Sequence, residues 1–439
     1  MSQKKVLIIT YYWPPSGGGG VQRWLKFAKY LPDFGWQPIV FTPENPEFDL
    51  KDESLSKDVS SELEVLRFPI WEPFGVYKKL FKKKEKLKQG IVIEKTNMSF
   101  VDRLSVWVRA NLFIPDPRRF WVNPSVKFLV PYIEQHNIDA VVTTGPPHSM
   151  HLIGLQLKRK CDIKWIADFR DPWSDWDVLD KLDVNPLVRK IHAKLEKSVL
   201  SNADLTLTVS KRLALSLKEK SESCRIKIIT NGVDEDDLNL KSELKVDSKF
   251  RITHMGLLNE VRDPQILWKT LEDLCFEIKG FKEDLEILLA GMVSDSILDR
   301  LKNSEELSGC LRHLDYISHQ EVFGYYQNST VLLLLLNQSE NAKWILPGKL
   351  FEYLLTKKPI LTLGEIESDV GDVLNETNSG QVFDFENREG VKNKLIRIYV
   401  AFKKGNLEQK SVNTDQFLRS NLTKQLSADL DEMCGIKDY

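Results

Sequence analysis

Val6-Leu7-Ile8-Ile9-Thr10, then Tyr11-Tyr12-Trp13-Pro14-Pro15-Ser16-Gly17-Gly18-Gly19-Gly20, then Val21-Gln22-Arg23-Trp24-Leu25-Lys26-Phe27: an apolar run, a glycine-rich turn and a helix-like segment follow one another. That order is the opening step of a parallel sheet wrapped by helices. Glycines at a strand-to-helix turn let the backbone approach a ligand closely, and free amides at a helix start favour an anion. A flexible turn without a ligand is the other reading of the same residues. The spacing matches neither GxGxxG nor GK[ST], so neither a standard dinucleotide site nor an NTPase P-loop is predicted.

Working outward, the same rhythm continues. Strands are predicted at Val6-Thr10, Pro38-Thr42, Glu64-Phe68, Ala140-Thr144, Lys164-Asp168, Leu205-Val209 and Lys227-Thr230, with helices between them. Asn231-Gly232-Val233-Asp234 is a turn, and the charged stretch from Asp234 to Lys249 reads as a linker. The rhythm then restarts, with strands at Arg251-His254, Leu285-Ala290, Leu311-Asp315, Val331-Leu336, Pro359-Leu363 and Gln381-Phe385. The expectation is α/β: two doubly wound domains, 1–235 and 236–439, the last helix packing back on the first. Such sheets bind ligands beyond the carboxyl ends of their strands, so both loop sets are expected to face a central cleft.

The region of about 74–122 breaks the pattern. It holds Tyr77-Lys78-Lys79-Leu80-Phe81-Lys82-Lys83-Lys84-Glu85-Lys86-Leu87-Lys88 and an aromatic-rich stretch from Phe100 to Val122. A solvated helix face or loop is one reading of the lysines. The other is a membrane-surface patch, with Trp107, Leu112, Phe113, Ile114 and Trp121 supplying an apolar face toward anionic lipid.

Composition bounds the function. At 439 residues the chain suits two domains of roughly 200 residues each. Its 42% hydrophobic and 28% charged content is that of a globular protein. A net charge of -1 supplies no basic field for nucleic acid. Cys161, Cys224, Cys275, Cys310 and Cys434 stand singly, outside any zinc or redox spacing, and read as reduced thiols. The first apolar run is too short for a signal peptide, which points to a cytoplasmic protein. Val331 to Leu336 is far below the roughly 20 residues that cross a bilayer and reads as a buried strand.

Three further segments carry chemistry. Gly145-Pro146-Pro147-His148-Ser149 ends a strand; His148 either caps a helix or fills a core contact, or bonds a sugar hydroxyl and bears a proton near neutral pH. Asp168-Phe169-Arg170-Asp171-Pro172-Trp173 ends another, where the charges either pair with one another in solvent or act together. In the latter case a carboxylate orients Arg170, leaving its guanidinium for an acceptor hydroxyl or phosphate. Leu346-Pro347-Gly348-Lys349-Leu350-Phe351-Glu352-Tyr353 runs from loop into helix. Pro347 suits the first helical turn, and the amides of Gly348, Lys349 and Leu350 are available to a diphosphate. Lys349 adds positive charge, and Glu352 suits two ribose hydroxyls; an acid favoured by the helix dipole is the alternative reading of Glu352.

Taken in order, the glycine-rich loop, Asn231-Gly232-Val233-Asp234, His254-Met255-Gly256 and the Pro347-to-Tyr353 segment resemble the retaining glycosyltransferases of family four, of GT-B fold, over nearly the whole chain. Gly-Pro-Pro-His-Ser and Asp-Phe-Arg-Asp-Pro-Trp are similar to a bacterial subgroup in surface-polysaccharide assembly. The resemblance implies two Rossmann-like domains and transfer of a sugar, configuration retained, from a nucleotide-sugar donor to a glycan or lipid-linked acceptor. The enzyme would work in the cytoplasm at the inner membrane face. It makes Glu352 the second glutamate of the family's pair, holding the donor ribose. The first is replaced by Trp344, so its task falls to Glu340 or to backbone amides. Leu257 stands where the family often has arginine, and Arg262 takes the place of its phosphate-binding lysine. Tyr316-Ile317-Ser318 matches the base-reading loop. Gly18, Gly19, Gly20, Gly256, Arg262, Tyr316, Pro347, Gly348, Lys349, Leu350 and Glu352 are then donor-binding, and His148, Asp168, Arg170 and Asp171 catalytic. No metal or other cofactor is implied, since Arg262 and Lys349 provide the positive charge. A nucleotide-sugar-binding protein without turnover, and a nonhydrolysing sugar-nucleotide epimerase of similar fold, are the competing readings.

Overall fold

The computed structural model describes residues 3–47, 51–72, 100–175, 179, 182–238, 248–315, 317, 319–407 and 411–436. The lysine run at 77–88, most of the linker, Tyr316 and Ser318 lie outside the described residues.

All thirteen predicted strands form. β1 (Lys4–Ile9), β2 (Trp36–Pro43), β3 (Glu64–Phe68), β4 (Ala140–Gly145), β5 (Lys164–Phe169), β6 (Leu205–Thr208) and β7 (Ile226–Ile228) make one sheet in the order β3-β2-β1-β4-β5-β6-β7. β8 (Phe250–Met255), β9 (Leu285–Ala290), β10 (Leu311–Leu314), β11 (Val331–Leu335), β12 (Ile360–Leu363) and β13 (Gly380–Phe383) make the other, in the order β10-β9-β8-β11-β12-β13. Every pairing is parallel. Apart from the extra β7, the two orders are the same, two strands outward on one side of β1 or β8 and three on the other. Each sheet is a Rossmann-like doubly wound sheet, with its topological switch at β1/β4 and at β8/β11.

The unbroken apolar runs follow from this arrangement, because central parallel strands are covered on both faces. Every residue of β4, β8 and β11 is buried. In the second unit Leu267, Leu271 and Leu274 cover one face, and Leu350, Phe351 and Leu354 the other. A fully buried side chain of this size contributes about 1.5–3 kcal/mol over its exposed state.

The chain divides into two compact units, residues 1–230 with 419–439, and residues 231–418. The C-terminal helix Arg419–Cys434 belongs to the first because Leu422, Leu426, Leu430 and Met433, at helical spacing, join that unit's core. Asp431 adds hydrogen bonds from Lys4 Nζ (2.5 Å) and Trp36 Nε1 (3.1 Å).

The helices Phe100–Leu112 and Arg119–His136 occupy the aromatic-rich stretch. Trp121, expected on a lipid-facing side, is instead buried. It stacks on Phe41 at 4.9 Å and donates Nε1 to the Pro69 carbonyl at 3.1 Å. All five cysteines are free thiols.

Candidate functional site

In the second unit the site residues gather at the switch point. β8 ends at Met255, and Gly256 follows at φ +110°, a conformation that favours glycine. Gly291, at φ +106°, lies so close that a Cβ on it would stand 2.8 Å from the Gly256 carbonyl oxygen. Both turns are therefore built for backbone approach. Arg262 ties together the ends of β8 and β11, donating Nη1 to the Leu257 carbonyl (3.3 Å) and Nε to Asn337 Oδ1 (2.5 Å).

The helix Gly348–Thr356 begins beside them. Pro347 is its N-cap, with no side-chain cap and no acid in the first turn. Leu350 N is spent on the Pro347 carbonyl at 3.0 Å, contrary to the expectation that its amide would serve a ligand. Gly348 and Lys349 hold the preceding positions, where a helix has no internal acceptor for the amide. Lys349 Nζ donates to the Met255 carbonyl at 3.0 Å. Burial, reinforced by the Arg262 charge and opposed by Glu352, lowers its ammonium to about 7. Glu352 Oε2 accepts the Tyr326 hydroxyl at 2.9 Å. His254 lies fully buried on β8, held far below its ordinary pKa by burial and then by Lys349. Gly256, Arg262, Lys349 and Glu352 thus share one end of one sheet. The side chain of Glu340 lies outside the described residues, and Trp344 is partly buried.

In the first unit the glycine loop and the segments after β4 and β5 are knotted together. Arg170 donates from Nε to the Gly145 carbonyl (3.2 Å), from Nη1 to that of Gly20 (2.9 Å) and from Nη2 to that of Pro146 (2.7 Å). A Cβ on Gly20 would meet Nη1 at 2.9 Å, so glycine there makes room for the clamp. Gly18, at φ +91°, is the N-cap of the helix Gly19–Tyr30.

Asp168 has no exposed surface. Its oxygens accept from Arg23 Nη2 (3.0 Å), Trp24 Nε1 (2.7 Å) and Thr144 Oγ1 (2.9 Å). Burial would raise its carboxyl, but the Arg23 charge and the hydrogen bonds from Arg23 and Trp24 bring it below the ordinary value. Asp168 therefore fixes the glycine-loop helix to β5. Asp171, three residues on, is partly buried, and burial pushes its carboxyl up against the opposing pull of Arg170.

His148 stands at the N-cap of the helix Ser149–Cys161, but its side chain makes no capping hydrogen bond. Asp116 takes that helix's first amide and hydroxyl from Ser149, both at 2.9 Å. The His148 ring stacks on Trp173 at 4.8 Å and 3°, and among the described residues its two buried nitrogens make no hydrogen bond of good geometry. Trp173 is held in turn by its Nε1 bond to His192 Nδ1 at 3.0 Å. Burial, followed by His151 and Arg170, drives the His148 pKa well below 6.5, which favours the neutral imidazole near neutrality.

A family model described as Glycosyltransferase Family 4 matches residues 17–237, half of the chain. The chain belongs to glycosyltransferase family 4. The whole chain is similar to sucrose-phosphate synthase from Thermosynechococcus elongatus, at 13% identity and TM-score 0.62, covering 99% of this chain and 100% of that one. Anabaena HepE in complex with UDP-glucose follows, at 13% and 0.60 with coverage of 98% and 99%. Trehalose-6-phosphate synthase OtsA stands at 10% and 0.61, also covering 98% and 99%. At such identities the likeness establishes the fold, GT-B with two Rossmann-like domains. No curated protein matches the chain.

Among the described residues, no helix of this family member is long and apolar enough to cross a membrane, and no three His, Cys, Asp or Glu side chains group as metal ligands. Sequence reasoning missed Arg23, Asn337, Tyr326 and Asp116. Only Arg23 left a signal, a charge on an amphipathic helix three positions after the last of the glycines.

Proposed function

We propose that this protein transfers a sugar from a nucleoside-diphosphate sugar to a glycan or lipid-linked acceptor with retention of configuration, at the inner face of the membrane, in cell-surface polysaccharide assembly. One observation carries the donor half. Lys349, Arg262 and the first amides of the Gly348–Thr356 helix meet beside the Gly256 turn at the switch of the second sheet. Such a place suits a pyrophosphate, because cationic side chains and amides there supply preorganised charge as the leaving group departs. HepE with UDP-glucose, and an E. coli trehalose-6-phosphate protein with UDP-2-fluoro glucose, support a nucleotide-sugar donor.

In this reading Glu352, aimed by Tyr326, takes the ribose hydroxyls, and Tyr316 the base. Amides of Gly19 and Gly20, after Gly18, add anion donors in the first unit. Neutral His148 bonds a sugar or acceptor hydroxyl, and Asp171 receives the acceptor proton. Arg170 and Asp168 position the loops that carry them. Arg262 and Lys349 fill the electrostatic role a divalent ion plays elsewhere, so no metal enters.

Trp344 in place of the family's first glutamate favours a second reading, a nucleotide-sugar-binding protein without turnover. Incubation with labelled donor and a membrane extract separates the two. Labelled lipid or glycan supports transfer; thermal stabilisation by UDP or GDP with no product supports binding alone.

A further inference from the structure

A second histidine stands beside His148 at the carboxyl end of β4. His151, on the helix Ser149–Cys161, is fully buried, and its ring stacks on Phe169 at 4.5 Å and 16°. Its Nδ1 lies 3.0 Å from the Thr143 hydroxyl, which also receives the Trp165 indole N–H at 2.9 Å. Gly154, one turn on from His151, leaves the space that the indole fills.

Chemistry fixes the direction of this chain. An indole nitrogen can only donate, so the Thr143 oxygen accepts there and keeps its own hydrogen to give. Among the described residues His151 Nδ1 is the acceptor it has. Burial, opposed by the Asp168 charge and aided by that of Arg170, lowers the His151 pKa to about 3, so the ring is neutral and carries one proton. With Nδ1 accepting, that proton sits on Nε2.

The Nε2 of His151 lies on the His148 side. A Cβ on Gly145 would stand 2.6 Å from His151 Nε2 and 2.9 Å from His148 Nδ1, so the two nitrogens flank a residue without a side chain to part them. Neither makes a hydrogen bond of good geometry among the described residues. Both are buried, where dipoles act with little screening. A proton on His148 Nδ1 would set two N–H groups against each other beside Gly145, whereas a lone pair there meets the His151 N–H with opposite polarity.

We propose that His151 is a positioning residue that locks His148 in the Nε2-protonated form, so that His148 gives a hydrogen bond to an oxygen of its ligand and does not act as a base there. The Pro172 carbonyl, a backbone acceptor within reach of the ring, takes the Nε2 hydrogen until a ligand oxygen competes for it. The proposal rests on the sugar-transfer reading only for what that ligand is.

The test is long-range proton–nitrogen correlation NMR on the full chain carrying isotope-labelled histidine, without ligand and near neutral pH. Signals are assigned by their loss in His148→Gln and His151→Gln. Both rings are expected to show the Nε2-protonated pattern. His151→Gln, whose carbonyl accepts from Thr143 while its amide donates, should leave the His148 pattern unchanged. His151→Glu, which accepts at both ends, should move the His148 proton to Nδ1. Should that variant melt early, His151→Phe decides instead, since loss of the facing N–H should shift the His148 Nδ1 signal downfield. An Nδ1-protonated His148 or His151 in the parent, or a His148 pattern indifferent to the change at 151, overturns the proposal. The tautomers are read in the ligand-free protein, so a failure of sugar transfer, measured separately with labelled donor, would sink the functional reading and leave this one standing.

Discussion

Tyr326, buried in the core of the second unit, donates its hydroxyl hydrogen to Glu352 Oε2 at 2.9 Å. Burial and the neighbouring carboxylate hold the phenol well above its ordinary pKa, so it remains a donor at every working pH. A carboxylate aimed in this way is prepared for a pair of hydroxyls. Glu352→Gln is expected to weaken nucleotide-sugar binding by roughly 10- to 100-fold, and Tyr326→Phe by about fivefold through lost aim. Calorimetric titration measures both, and unchanged affinity in Glu352→Gln would remove Glu352 from the ribose.

Lys349 sets a pH dependence. Its folded pKa of about 7 lies below the ordinary 10.5, so between those values the unfolded chain binds more protons and folding stability rises with pH. Below about 7 the buried ammonium carries its full desolvation cost. Lys349→Met should flatten that slope in melting curves taken across the window. A bound diphosphate favours the ammonium, so nucleotide affinity should fall as pH rises above about 7, with proton uptake visible in buffers of different ionisation enthalpy.

Asp168→Asn separates a structural from a catalytic role. Arg23 would be left charged and buried without its partner, a loss of about 3–5 kcal/mol. The melting temperature should drop on the order of 10 °C. Normal stability with abolished turnover would instead make Asp168 a catalytic group.

His148 should contribute no inflection near pH 6.5 to the rate profile, because burial keeps it neutral there. His148→Gln, which retains hydrogen-bonding atoms, is expected to keep more activity than His148→Ala. Equal loss in both, with a pH inflection that vanishes in both, would restore a proton-transfer role.

Gly291→Ala should destabilise the second unit by about 1–3 kcal/mol, since the residue combines φ +106° with a backbone oxygen 2.8 Å from any Cβ. Gly309→Ala, where a Cβ meets nothing within 4 Å, is the control expected to stay near neutral. Denaturant melts of the two variants compare them directly.

The strands were legible because a central parallel strand is buried on both faces, and Val331–Leu335 or Ala140–Gly145 can only read as an unbroken small or apolar run. The turns were legible for a similar reason: glycine at 256 and proline at 347 are local requirements of backbone geometry. Phe120 and Trp121, by contrast, are neighbours of like composition, and nothing in the sequence told which would be exposed and which buried. Their fates depend on what the Arg119–His136 helix packs against.

The sequence by itself determined the alternation of strand and helix, the restart near Phe250 and the two glycine turns, because each is written within a dozen consecutive residues. Tertiary structure alone decided that Asp168 is sealed while Asp171 three positions on is not, and that Arg170 clamps carbonyls. Arg23 and Asp168 are 145 positions apart in the chain, and Lys4 and Asp431 are 427 apart. Backbone periodicity is a local property, whereas the partner of a buried charge is chosen by whichever distant residue the completed fold brings within three ångströms.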